Sequence, residues 1–84
     1  MTLVFDATRV TLTPSETQTI LHYISEMRRR LEFGDDTDHE RSALEDAVRR
    51  CVAEHTRVAL DEIEVDVSED GSSIVPRRAH PRSG

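Results

Sequence analysis

The chain has 84 residues, with eleven basic side chains (all arginine) against seventeen acidic ones, for a net charge of −6. So short a chain makes one small domain, and it buries only about 60–65% of its unfolded surface on folding, so a partner chain is a natural source of extra core. The acidic balance argues against a mainly electrostatic nucleic-acid binder, which draws its affinity from phosphate neutralisation; Phe5, Tyr23 and Phe33 alone offer no base-stacking platform.

Residues 2–12 read as extended. Val10 and Leu12 alternate with Arg9, Thr11 and Thr13, and β-branched residues are frequent. Leu3 and Phe5 have the opposite parity from Val10 and Leu12. Either a bulge near Asp6-Ala7 shifts the phase or both faces are partly buried.

Two matched helix-start signals follow. Thr13-Pro14-Ser15-Glu16 and Thr37-Asp38-His39-Glu40 each offer a capping Thr and a Glu three residues later, which can reach back to the cap's own N–H. The first predicts a helix from Pro14 to Leu31, with Pro at the first helical position. Its stripe is Ile20, Ile24, Met27 and Leu31, edged by Leu21 and Tyr23. Arg28, Arg29 and Arg30 suit the dipole at its end, and Gly34 can supply the left-handed residue after it. The second signal predicts a helix from Asp38 to Val58, with Leu44, Val48, Cys51, His55 and Val58 on one stripe. The short loop between them predicts an antiparallel hairpin.

After Leu60 the period changes from 3.6 to 2. Ile63, Val65 and Val67 alternate with Glu62, Glu64 and Asp66, which predicts a half-buried strand with an acidic outer face. Residues 69–73 are a turn, and Ile74-Val75 is a short return strand. The expected fold is α+β in the order β-α-α-β: an antiparallel helical hairpin packed on a small two-stranded sheet. In that sheet the N- and C-terminal strands pair, and dimerisation completes it. Residues 1–75 form the domain, and 76–84 read as a flexible Pro/Arg tail.

The chemistry is sparse. Cys51 and His55 stand one turn apart on the second helix, a spacing that can begin a metal site, but no third or fourth ligand is apparent. They read instead as a small buried thiol and a core or interface histidine. Asp36, Asp38 and Glu40 imitate a calcium loop, yet Arg41 and Ala47 stand where that loop needs Gly and Glu. These acids favour the start of the second helix through its dipole. There is no phosphate loop, nucleophile elbow or paired metal motif, so neither an enzyme nor a cofactor is expected. A lone Cys51 forbids an internal disulfide and fits a reducing, cytoplasmic setting. Met1–Asp6 lacks a secretory pattern, and no apolar run nears the about 20 residues that cross a bilayer. The absence of lysine fits GC-rich coding or a high-salt source.

The stretch Thr8-Arg9-Val10-Thr11-Leu12-Thr13-Pro14, followed by two helices, resembles the ribbon-helix-helix family of DNA-binding regulators. Glu40-Arg41-Ser42-Ala43-Leu44-Glu45-Asp46-Ala47 is similar to the opening of that family's second helix. The resemblance spans residues 8–55. It implies a strand that pairs with its dimer mate and enters the major groove, with Arg9 and Thr11 facing DNA. The long first helix, the acids at the start of the second, and a second strand within the chain depart from that pattern.

The leading expectation is a non-enzymatic protein-interaction or regulatory module that acts as a homodimer and takes no metal. Its working surface is the helix stripe of Ile20, Leu21, Ile24, Met27, Leu31, Leu44, Val48, Cys51 and His55. The alternative is a ribbon-helix-helix-like regulator using Arg9 and Thr11. Another protein is a further partner to consider.

Overall fold

A computed structural model describes residues 1–79 of the chain. The element order is β1 (Thr2–Phe5), β2 (Thr8–Thr11), α1 (Pro14–Glu32), α2 (Asp38–Thr56), a single 3-10 turn (Leu60–Glu62), β3 (Ile63–Val67) and β4 (Ile74–Arg78). The fold is α+β, with two helices and two antiparallel strand pairs in place of the expected single pair.

The extended N-terminal segment is a hairpin. Thr2 pairs with Thr11, Leu3 with Val10, Val4 with Arg9 and Phe5 with Thr8. The two turn residues, Asp6 and Ala7, both have positive φ (45° and 65°), as a two-residue hairpin turn of the twist-matching kind requires. A two-residue turn inverts parity, so odd residues of β1 and even residues of β2 share a face. Leu3, Phe5, Val10 and Leu12 are therefore all buried together. Neither a bulge nor burial of both faces is needed.

The terminal strands do not form a hydrogen-bonded pair with each other; each pairs with its neighbour in sequence. β1 does lie against β4. Leu3 shares a surface groove with Ile74 at one end, and Asp6 approaches Arg78 (3.8 Å) at the other, so the two strands run parallel. Pro76 explains why this contact is not a ladder. The bonds Ala79 N–H to Glu62 C=O (2.7 Å) and Ser68 N–H to Ser73 C=O (3.0 Å) fix the bonding parity of the β3–β4 pair. Ile74, Pro76 and Arg78 thus turn their backbone groups toward β1, and Pro76 has no N–H to give. The strands form one layer in the spatial order β3-β4-β1-β2, with a seam in the middle.

β4 takes in Pro76, Arg77 and Arg78, which the sequence reading placed in a tail. Arg77 lies across from the acidic face of β3. It bonds Glu64 (3.2 Å) and contacts Asp66. The remainder of the expected tail, residues 80–84, lies outside the described residues.

Both helices cover one face of this layer. The first capping signal is realised in full: Thr13 Oγ1 accepts from the Glu16 amide (3.1 Å), and Glu16 Oε1 accepts from the Thr13 amide (2.8 Å). α1 ends as expected at Gly34 (φ 77°), where the Asp35 amide reaches back to the Arg30 carbonyl (2.9 Å). The second capping signal is not realised. Thr37 precedes α2 but makes no side-chain cap. It is buried, and its hydroxyl donates to the Glu69 carbonyl in the β3–β4 loop (3.0 Å). Glu40 instead pairs with Arg30 of α1 (2.8 Å). The loop that Thr37 holds also carries Gly71 (φ 75°), which packs over α1; a Cβ there would sit 3.1 Å from Ile24 Cγ1.

Candidate functional site

The expected interaction stripe is mostly interior. Ile20, Met27, Leu44 and Val48 have no exposed surface (0%) and join Val52 and the inward strand residues in one core. They are corrected from interface to core residues: an apolar stripe at helical spacing reports burial, and here the chain's own sheet and partner helix cover it. Ile24, Leu31 and Cys51 are half-buried. Ile24 is capped by the Gly71 turn. Leu21, half exposed, stands outside the core, and His55 is exposed at the end of α2. The inner residues of the stripe are thus taken up within the chain, and Leu21 and His55 are its exposed members.

Cys51 and His55 are brought together with a residue outside that stripe, Glu16. In an antiparallel hairpin the start of α1 meets the end of α2. His55 Nε2 lies 2.9 Å from Glu16 Oε1, the oxygen that also accepts from the Thr13 amide. The His55 bond, then the Thr13 amide, pull the Glu16 carboxyl down from 4.5 to about 2, with a smaller contribution from the Cys51 thiol and against the opposing effect of burial. The same carboxylate acts in reverse on Cys51. Burial, then the hydrogen bond and charge of Glu16, push its thiol up to about 11. Without a further perturber, Cys51 is therefore held as the neutral thiol at neutral pH. The Glu16–His55 pair ties the open end of the helical hairpin, as Arg30–Glu40 ties the loop end. Among the described residues, no three His, Cys, Asp or Glu side chains are placed to hold a metal ion. Glu16 was findable from sequence: its capping position is explicit, and the short interhelix loop sets the start of α1 beside His55.

Arg9 and Thr11 are brought together on β2. Both are exposed, on the sheet face turned away from the helices. The bond from the Leu12 amide to the Met1 carbonyl (3.1 Å) sets the parity of the hairpin, so Thr8 and Val10 bond to β1. The N–H and C=O of Arg9 and Thr11 therefore point out along the free edge of the layer. Among the described residues, nothing in the chain takes up these groups. At the opposite edge, Arg49 of α2 covers β3 by donating from Nε to the Ile63 carbonyl (3.2 Å). The two edges of the layer are thus unlike, one held by an arginine and one open.

Compared with known proteins, the chain matches no family model, no curated protein and no solved structure. No helix among the described residues is long and apolar enough to cross a membrane.

Proposed function

We propose that the protein is a small non-enzymatic interaction module that works as a homodimer, joined edge to edge through β2. The observation that carries this reading is the open outer edge of β2, where Arg9 and Thr11 present unused backbone donors and acceptors. A two-fold axis through Val10 sets Arg9 opposite Thr11 of the second copy. Those are the residues whose outward groups can exchange both bonds of an antiparallel pair. The same register keeps the two Arg9 side chains from facing each other directly, where like charges would oppose the pairing. Such a dimer extends two four-stranded layers into one and adds the core that so short a chain lacks. Its helix-free face, bearing Thr2, Val4, Arg9 and Thr11 from each copy, is the surface offered to a further protein. A cytoplasmic location belongs to this reading, in keeping with the lone, protonated Cys51.

Sedimentation equilibrium with circular dichroism tests the proposal, using wild type and Thr11→Pro. Proline at position 11 removes an N–H from the outer edge only, since the β1–β2 ladder does not use it. Wild type is expected to be a folded dimer and the variant a folded monomer. A monomeric wild type, or a variant that stays dimeric, overturns the edge-paired dimer.

A second reading draws on the exposure of Arg9 and Thr11 on one open face. Two paired β2 strands would offer them as an alternating ribbon to the major groove, as the ribbon-helix-helix resemblance implies. Duplex binding that falls steeply with salt and weakens in Arg9→Ala would favour it over a purely protein-binding role.

A further inference from the structure

The helix-free face of the layer is crossed by one ordered row of side chains. Strand register sets Asp66 of β3 opposite Val75 of β4, and Val4 of β1 opposite Arg9 of β2. Across the seam β1 and β4 run parallel with Leu3 beside Ile74, which sets Val4 beside Val75. Burial agrees with this placement: Leu3, Phe5 and Pro76 turn inward, while Val4 and Val75 are exposed. From β3 to β2 the row therefore runs acid, valine, valine, arginine. The two valines stand 58% and 48% exposed on the bare face. Arg9 enters no ion pair among the described residues. Asp66 touches Arg77 of its own chain and has its other side open.

A row in this order is complementary to itself. A two-fold axis along the strands, at the seam, lays β2 of a second copy over β3 and β1 over β4. Val4 then meets Val75 of the second copy, and Arg9 meets Asp66, once at each end of the row. Aligned sheets cross at about 30°, an offset that the long Arg9 side chain spans. The alternative axis, across the strands, sets each strand over its own copy. It would place acid over acid on β3 and Arg9 over Arg9, so the charges select the first axis.

We infer that the helix-free face binds the same face of a second copy, with a four-valine centre and an Arg9–Asp66 pair at either end. The further protein offered this face is then another copy of the chain. The stacked pair thus rests on the reading of the protein as a module that binds itself, though not on the β2 joint. Four strands of four or five residues make a small face beside the about 800 Å² per partner of a stable interface. The contact is accordingly weak and forms in concentrated solution. In wild type the axis of the β2 joint does not meet this one, so the two joints together build an open array and not a closed tetramer.

Thr11→Pro, with its β2 edge blocked, isolates the face. Its amide shifts and translational diffusion are followed by NMR on dilution from about 1 mM. Monomer–dimer exchange is expected, with the shifts centred on Val4, Arg9, Asp66 and Val75. In that background Arg9→Asp and Asp66→Arg should each weaken the dimer about tenfold by setting like charges together. The double exchange should restore it, because the reversed row is again complementary to itself; a merely structural role for either residue predicts no such rescue. Val4→Thr keeps a β-branched strand residue and should also weaken the dimer. Circular dichroism checks that each variant is folded. The stacked pair is overturned if Thr11→Pro stays monomeric to about 1 mM, if the shifts map elsewhere, or if the double exchange does not recover. None of these results touches the β2 joint, which is judged from wild type in dilute solution. Conversely, a wild type that assembles no further than Thr11→Pro removes the β2 joint and leaves the stacked pair standing.

Discussion

The two helix starts carry the same four-residue signature and end in different structures. At Thr13–Glu16 the signature closes on itself: each residue bonds the other's amide, and the exchange is local and exposed. At Thr37–Glu40 both residues leave the helix end. Thr37 turns its hydroxyl to the β3–β4 loop, and Glu40 turns its carboxylate to Arg30. The difference lies in surroundings. Thr37 is buried beside the β3–β4 loop, where the Glu69 carbonyl accepts its hydroxyl, whereas Thr13 faces solvent. A capping box gives roughly 1 kcal/mol, and the buried Thr37 hydroxyl left without a partner would cost more than that. Where the two compete, the long-range bond takes the side chain.

This comparison can be broken at either end. Thr37→Val keeps the side chain's shape but removes its bond to the Glu69 carbonyl, so a loss of up to about 1.5 kcal/mol is expected by thermal or urea denaturation. Thr13→Ala should lose about 1 kcal/mol, the ordinary worth of a cap. If Thr13→Ala proves the costlier of the two, Thr37 is acting as a plain cap and the contrast fails. Glu40→Gln should cost under about 1 kcal/mol, because an ion pair with a half-exposed Arg30 is worth little.

A sharper contrast lies in pH. Glu16→Gln keeps an acceptor at the capping position but removes the charge that His55 and the Thr13 amide hold. The folded pKa of Glu16 is depressed, so its charge stabilises the fold above the unfolded value of 4.5 and loses that effect as pH falls toward about 2. The stability gap between wild type and Glu16→Gln should therefore be full at neutral pH and close across that window. A gap that persists unchanged to the acid end would mean that Glu16 acts by shape alone.

The helices were the legible part of the fold. Apolar spacing, Pro14 and Gly34 marked α1 almost to its last residue, and local signals suffice because helical bonds are local. The two hairpins were less legible. Asp6-Ala7 lacks the glycine that flags a two-residue turn, and Ala7 at φ 65° is an uncommon occupant. The visible trace was the parity flip between Phe5 and Val10, which a turn explains as well as a bulge. Pro76 reads as a strand breaker, yet it sits where its missing N–H faces a seam and not the β3 ladder. The helix stripe foretold which residues are buried but not what buries them. Periodicity records one apolar side and is silent on whether the cover comes from the same chain. Glu16 lay in plain view as a cap; its second role with His55 depends on the far end of another helix.

The central claim is that the outer edge of β2 is a joint between two copies. Amide hydrogen exchange at Arg9 and Thr11, measured across a range of protein concentrations, tests it most directly. Both amides point away from β1, so they should exchange rapidly in dilute solution and become protected as the dimer forms, while Thr8 and Val10, already bonded to β1, change little. If Arg9 and Thr11 exchange at the same fast rate at every concentration, the edge remains unpaired and the account of β2 as an interface is wrong.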